Sequence, residues 1–122
     1  MRSSVFAAVL AFVGACFFQL APVQADQLEF IVESQHPNVV QIEFYSQDYN
    51  RSWPGGGSAY NLDDYETKTI NLSCRPGEQI CYGAWLAGDA SVYWGVGHGD
   101  KEQCSDCCYS CGGTTEHIVL SP

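Results

Sequence analysis

The chain has 122 residues, 14 of them acidic and 5 basic, for a net charge of −9. That balance argues against nucleic acid and against anionic membrane surfaces as partners, since both recruit basic patches. Seven cysteines in so short a chain point to a single small domain that supplements a modest core with covalent staples.

Residues 1 to 25 read as an export signal. Arg2 gives a positive start, an apolar run extends from Val5 to Leu20, and Val23-Gln24-Ala25 is a small-residue cleavage site before Asp26. The run is too short and too rich in alanine for a membrane span, which takes about 20 apolar residues. Cleavage leaves one domain of 97 residues, 26 to 122, with 14 acidic and 4 basic residues. It also removes Cys16, so the cysteine count becomes six, the even parity expected of disulfides in an exported domain. A minority reading takes Val13-Gly14-Ala15-Cys16 as a lipoprotein box with a lipid anchor at Cys16, but Phe17 and Phe18 follow where small polar residues are usual.

The rest of the chain is β-rich. Leu28, Phe30 and Val32 alternate with Glu29, Ile31 and Glu33, and after a turn at His36-Pro37-Asn38 the segment 39 to 46 places Val40, Ile42 and Phe44 on one face. These two strands either pair as a hairpin or lie in facing sheets. Residues 47 to 61, with Pro54 and three consecutive glycines, read as one long loop. Strand patterns resume over 67 to 74, 79 to 87, 91 to 97 and 116 to 120, separated by turn signals at Arg75-Pro76-Gly77-Glu78 and Gly88-Asp89. The expected fold is mainly β, a small antiparallel β-sandwich or partly closed barrel of about six strands.

Cys104, Cys107, Cys108 and Cys111 are spaced i, i+3, i+4 and i+7, one stripe of an α-helix. Asp100 fits as its N-cap and Gln103 completes a capping box. Gly112 and Gly113 fit as its stop, so a short cysteine-bearing helix is predicted near the C-terminus. Together with Cys74 and Cys81 these cysteines form the disulfide framework. Cys74 and Cys81 either bridge across a hairpin or reach out to the helix, and six cysteines allow 15 pairings that spacing does not choose among.

An alternative reading makes the cluster a zinc site of His98, Cys104, Cys107, Cys108 and Cys111, or a thiol-redox site built on its two CxxC motifs. Four sulfurs along one helical stripe are too spread to surround one ion, and an exporting compartment pairs thiols first. Asp100, Glu102 and Asp106 oppose the thiolate that redox catalysis needs, and the βαβ setting of a thioredoxin-like motif is missing. The acidic run 62 to 66 lacks the spacing of a helix–loop–helix calcium loop, and no GxSxG element is present. Asn50-Arg51-Ser52 and Asn71-Leu72-Ser73 match N-glycosylation acceptors.

The aromatic residues of the long loop remain. Tyr49, Trp53 and Tyr60 are the candidate ligand contacts, because aromatics on polar, glycine-rich loops commonly meet sugars or protein partners. The sequence therefore reads as a secreted, cysteine-rich, non-enzymatic binding or structural module, without cofactor, whose partner is a protein or glycan. Intact mass of the exported protein should place its N-terminus at Asp26, whereas a diacylglyceryl group on Cys16 would show the lipoprotein route instead.

Overall fold

The computed structural model describes residues 26 to 122, so the readings on residues 1 to 25, Cys16 included, lie outside the described residues. Nine strands follow in order: β1 (Asp26–Ser34), β2 (Val40–Ser46), β3 (Ser52–Trp53), β4 (Tyr60–Leu62), β5 (Thr67–Cys74), β6 (Gln79–Leu86), β7 (Asp89–Gly95), β8 (Cys108–Ser110) and β9 (Gly113–Leu120). They make two open sheets. The first has the order β5-β1-β9; the second has β3-β2-β6-β7, with β4 also on β2 and β8 also on β6.

The alternation seen in the sequence decides how the sheets meet. Leu28, Phe30 and Val32 of β1 and Val40, Ile42 and Phe44 of β2 all belong to one buried cluster, each at most 2% exposed. β1 and β2 thus sit in facing sheets, and Phe30 stacks on Phe44 with ring centroids 4.4 Å apart. Ile70 and Leu72 of β5, Ile80 and Ala84 of β6, and Ile118 and Leu120 of β9 complete the core. Each fully buried aliphatic or aromatic side chain here contributes about 1.5–3 kcal/mol. Among the described residues no helix is long and apolar enough to cross a membrane.

Three expectations are corrected. The sheets do not close into a barrel, and nine strands replace the expected six because the segment 47 to 61 is not one loop: it contains β3 and β4. The strands are not all antiparallel, since β9 runs parallel to β1, with Leu28 opposite Gly113 and Ser34 opposite Leu120. A parallel neighbour requires a long connection, and here the whole second sheet lies between the two in sequence. The register shifts between Glu29 and Ile31, where the Thr115 hydroxyl accepts from the Ile31 N–H at 3.0 Å and donates to the Glu116 carbonyl at 2.8 Å.

The third correction is the helix. None forms between Asp100 and Gly112; the segment is irregular until β8. A helical stripe would aim all four sulfurs the same way, but their partners lie in different places. Cys111 enters the main core to bridge Cys74, Cys108 pairs across the ladder with Cys81, and Cys104 bridges Cys107 beside a second buried cluster of Tyr45, Cys81, Val96 and Cys107. Asp100, expected as an N-cap, adopts a left-handed conformation with φ of 59°. Of the two alternatives for Cys74 and Cys81, the cross-hairpin bridge is absent and both cysteines reach the 104–111 segment instead. β5 and β6 belong to different sheets, joined by a turn in which the Glu78 N–H donates to the Arg75 carbonyl at 2.9 Å. Pro76 with Gly77 at φ 78° suits a type II turn, whose twist fits a corner between sheets better than a hairpin.

The second sheet is bounded on both sides by interrupted strands. On one edge Trp53 opposes Phe44 and Tyr60 opposes Ile42, so residues 54 to 59 bulge out opposite Glu43 alone. Within that excursion the Ser58 N–H donates to the Gly55 carbonyl at 3.2 Å, and Gly56 and Gly57 have φ of 66° and 75°, the paired left-handed values of a type I′ turn. On the other edge Gly95 opposes Gly83 and Cys108 opposes Cys81, so residues 96 to 107 leave the sheet opposite Tyr82. The Tyr82 backbone closes both ends of that loop, accepting from the Val96 N–H at 3.0 Å and donating to the Cys107 carbonyl at 3.1 Å. Glu43 pairs with Gly83 and Phe44 with Tyr82, so the two excursions erupt at the same level.

The longer excursion folds back over the outer face of the second sheet, where Gly83 admits it: a Cβ there would collide with the Gly97 carbonyl oxygen and crowd the Tyr45 ring. Replacing Gly83 by alanine should therefore cost about 1–3 kcal/mol through overpacking. Gly113→Ala is the control, since no atom lies within 4 Å of its added methyl. Urea unfolding of the two variants checks both.

Candidate functional site

Residues 47 to 51 connect β2 to β3 in a tight reversal. The Ser46 hydroxyl accepts from the Tyr49 N–H at 3.0 Å and the Asp48 N–H at 3.3 Å, while the Ser46 N–H donates to the Arg51 carbonyl at 3.0 Å. The 96–107 excursion approaches this turn from the other side. Its Gly99 N–H donates to the Tyr45 hydroxyl at 2.9 Å, and the Gln47 side-chain amide donates to Asp100 Oδ2 at 3.1 Å. Between the two walls lies a cleft of about 370 Å³, with Tyr45 at its base and Tyr49, Asn50, Arg51 and Asp100 around it. Burial drives the Tyr45 phenol up to about 12, against the pull of the Gly99 hydrogen bond, so it stays neutral across the physiological range.

One wall is held by a buried carboxylate. The Glu78 side chain is fully buried and takes Arg51 in a fork, NH2 at 2.7 Å and Nε at 3.2 Å, while also accepting the Arg75 N–H at 2.9 Å. Burial alone would raise its pKa, but the hydrogen bonds from Arg51, the Arg75 backbone and Ser46 outweigh this and hold it below the usual 4.5. Arg51 also lies over the Trp53 ring at 4.6 Å, and Arg75 over the Tyr49 ring at 4.4 Å.

Of the three aromatic residues expected to meet a ligand, only Tyr49 lines the cleft, and it is 42% exposed. Trp53 packs against the core, and its indole N–H donates to the Ser73 carbonyl at 3.2 Å. Tyr60 also packs against the core, 5.9 Å from the Phe44 ring, and burial raises its pKa. Asn50, Arg51 and Asp100 were not singled out as ligand contacts. Arg51 carried a signal, as one of only four basic residues after residue 25, whereas Asp100 reaches the cleft by a long-range closure that local pattern does not encode. Both sequon asparagines are exposed, Asn50 in the turn and Asn71 on the outer side of β5.

All six described cysteines are bridged: Cys74–Cys111, Cys81–Cys108 and Cys104–Cys107. In this state none offers the thiolate that the zinc reading requires. His98 instead lies on the Trp85 ring, with centroids 4.4 Å apart, and the Trp85 indole N–H donates to Gln41 Oε1 at 3.1 Å. Beneath the same excursion sits Glu43, 8% exposed, with no hydrogen bond to its carboxylate among the described residues. Desolvation raises its pKa above 4.5, and the charge of His98 works against that rise. Comparison of the chain with protein-family models, with curated proteins and with solved structures finds no match.

The two buried carboxylates give pH dependences of opposite sign. Glu78, with its folded pKa lowered, stabilises the fold above pH 4.5 and loses that contribution as the pH falls through its lower folded value. Glu43, with its folded pKa raised, carries a penalty at neutral pH that disappears as the pH drops toward 4.5. Glu78→Gln should thus cost about 1.5–3 kcal/mol at pH 7 and flatten the acid limb of the stability curve. Glu43→Gln should raise the melting temperature at pH 7, with the gain shrinking on acidification. Thermal melts of both variants between pH 3 and pH 8 separate the two.

Proposed function

We propose that the protein is an exported, non-enzymatic binding module whose ligand is a small polar molecule, a mono- or disaccharide unit of a glycan, held in the cleft between Tyr49 and Asp100. The observation that carries this reading is the meeting of two segments some fifty residues apart in sequence around an exposed aromatic ring and several polar side chains. A cleft of about 370 Å³ is in the range of small-ligand sites. Tyr49, backed by Arg75, offers a flat apolar face for a sugar ring, while Asn50, Arg51 and Asp100 offer donors and acceptors for hydroxyl groups.

The same residues favour binding over catalysis. Ser46 is engaged by two backbone amides, no histidine lines the cleft, and the carboxylate behind its wall, Glu78, is fully buried in its fork with Arg51. Three disulfides suit an oxidising, extracellular setting.

Backbone-amide NMR titration with a panel of mono- and disaccharides tests the reading. A binding sugar should shift resonances of residues 45 to 52 and 99 to 100, and Tyr49→Ala and Asp100→Ala should each weaken it about tenfold or more, the loss expected of a stacked or charge-assisted contact. Both variants should melt within a few degrees of the parent. Shifts confined to another face, or binding unaffected by either substitution, would move the site elsewhere.

A further inference from the structure

The three bridges are not equivalent. Cys74–Cys111 closes a span of 37 residues and both sulfurs lie in the main core, 3% and 6% exposed. Cys81–Cys108 spans 27 residues within the β6–β8 ladder. Cys104–Cys107 spans only 3 residues, in irregular chain outside every strand, with Cys104 half-buried and Ser105 and Asp106 exposed beside it. Restraint of the unfolded chain grows with the length of the closed loop, so this bridge contributes least to the fold. It is also the bridge whose opening disturbs no ladder.

We propose that Cys104–Cys107 is a thiol-exchange site, opened by an external dithiol and closed by an external disulfide through the same exchange in reverse, while the other two bridges and the fold persist. A thiolate of the dithiol attacks Cys104 Sγ, the more accessible sulfur, because Cys107 is only 3% exposed. A mixed disulfide forms and Cys107 leaves as the thiolate. The second thiol of the reagent then attacks its own sulfur in the mixed disulfide and releases Cys104. The dithiol is oxidised to its disulfide, and the two electrons and two protons it gives up appear as the two protein thiols.

Asp106 sets the rate. Its Oδ1 lies 3.4 Å from Cys104 Sγ and 3.9 Å from Cys107 Sγ, so its charge opposes both the incoming thiolate and the one that departs. The site is therefore slow to exchange as built, and neutralising this one residue should release it. The inference does not depend on what occupies the cleft.

Graded dithiothreitol, followed by alkylation and peptide mass mapping, tests this on the intact protein, with circular dichroism read on the same samples. Cys104 and Cys107 should be labelled at about tenfold lower reductant than any other cysteine, before the spectrum changes. Asp106→Asn should accelerate that labelling a few-fold, and a Cys104→Ser/Cys107→Ser variant should keep the parent spectrum. Labelling of all six cysteines together with loss of the fold, or earlier labelling of either other pair, overturns the assignment. An Asp106→Asn rate no faster than the parent removes Asp106 from it.

Discussion

The second sheet depends on one registration: after twelve residues away from the sheet, the chain must return to β6 with Cys108 opposite Cys81. Loop closure of that length is entropically costly on its own, and the three residue pairs of β8 supply few hydrogen bonds to offset it. The Cys81–Cys108 bridge makes the return obligatory, and the two backbone hydrogen bonds of Tyr82 then pin both ends of the excursion. With its ends fixed, the excursion has nowhere to lie but over the outer face of β2 and β6. That face is prepared for it by the missing side chain of Gly83 and by the hydroxyl of Tyr45.

Cys74–Cys111 does for the two sheets what Cys81–Cys108 does for one. It joins the end of β5 to the chain between β8 and β9, at the corner where the Cys111 N–H donates to the Glu78 carbonyl at 2.8 Å and its carbonyl accepts from Gly77 at 3.2 Å. Glu78 thereby belongs to the corner through its backbone and holds Arg51 through its carboxylate. The same residue that turns the chain from one sheet to the other also fixes the side chain of Arg51, which lines the cleft.

The sequence revealed what is periodic and missed what is long-range. Alternation in 28 to 32 and 40 to 44 identified both inner faces, because a period of two is the direct imprint of one buried side. The pairing of β9 with β1 left no such mark: Ile118 and Leu120 alternate equally well beside a parallel or an antiparallel neighbour. The helical stripe of cysteines was a pattern without a cause, since each sulfur follows its partner and not a common face. β3 and β4 were hidden because two or three residues on either side of a glycine-rich turn carry no period at all. Among the residues lining the cleft, Tyr49 could be read from its loop; Asp100 could not, because its place is set by the Tyr45 and Gln47 hydrogen bonds, made across about fifty residues.

The parallel pairing of β1 with β9 has a consequence in time. β1 is the central strand of its sheet, yet one neighbour ends at residue 74 and the other at residue 120. No fragment that stops short of β9 can cover both edges of β1, so Leu28, Phe30 and Val32 wait for the far end of the domain before their sheet is complete. Such an order places the domain among slow, high-contact-order folders. It also makes assembly all-or-none with respect to length: truncation by a single strand exposes a row of unpaired amides along the central strand of the first sheet, the kind of edge that recruits other chains.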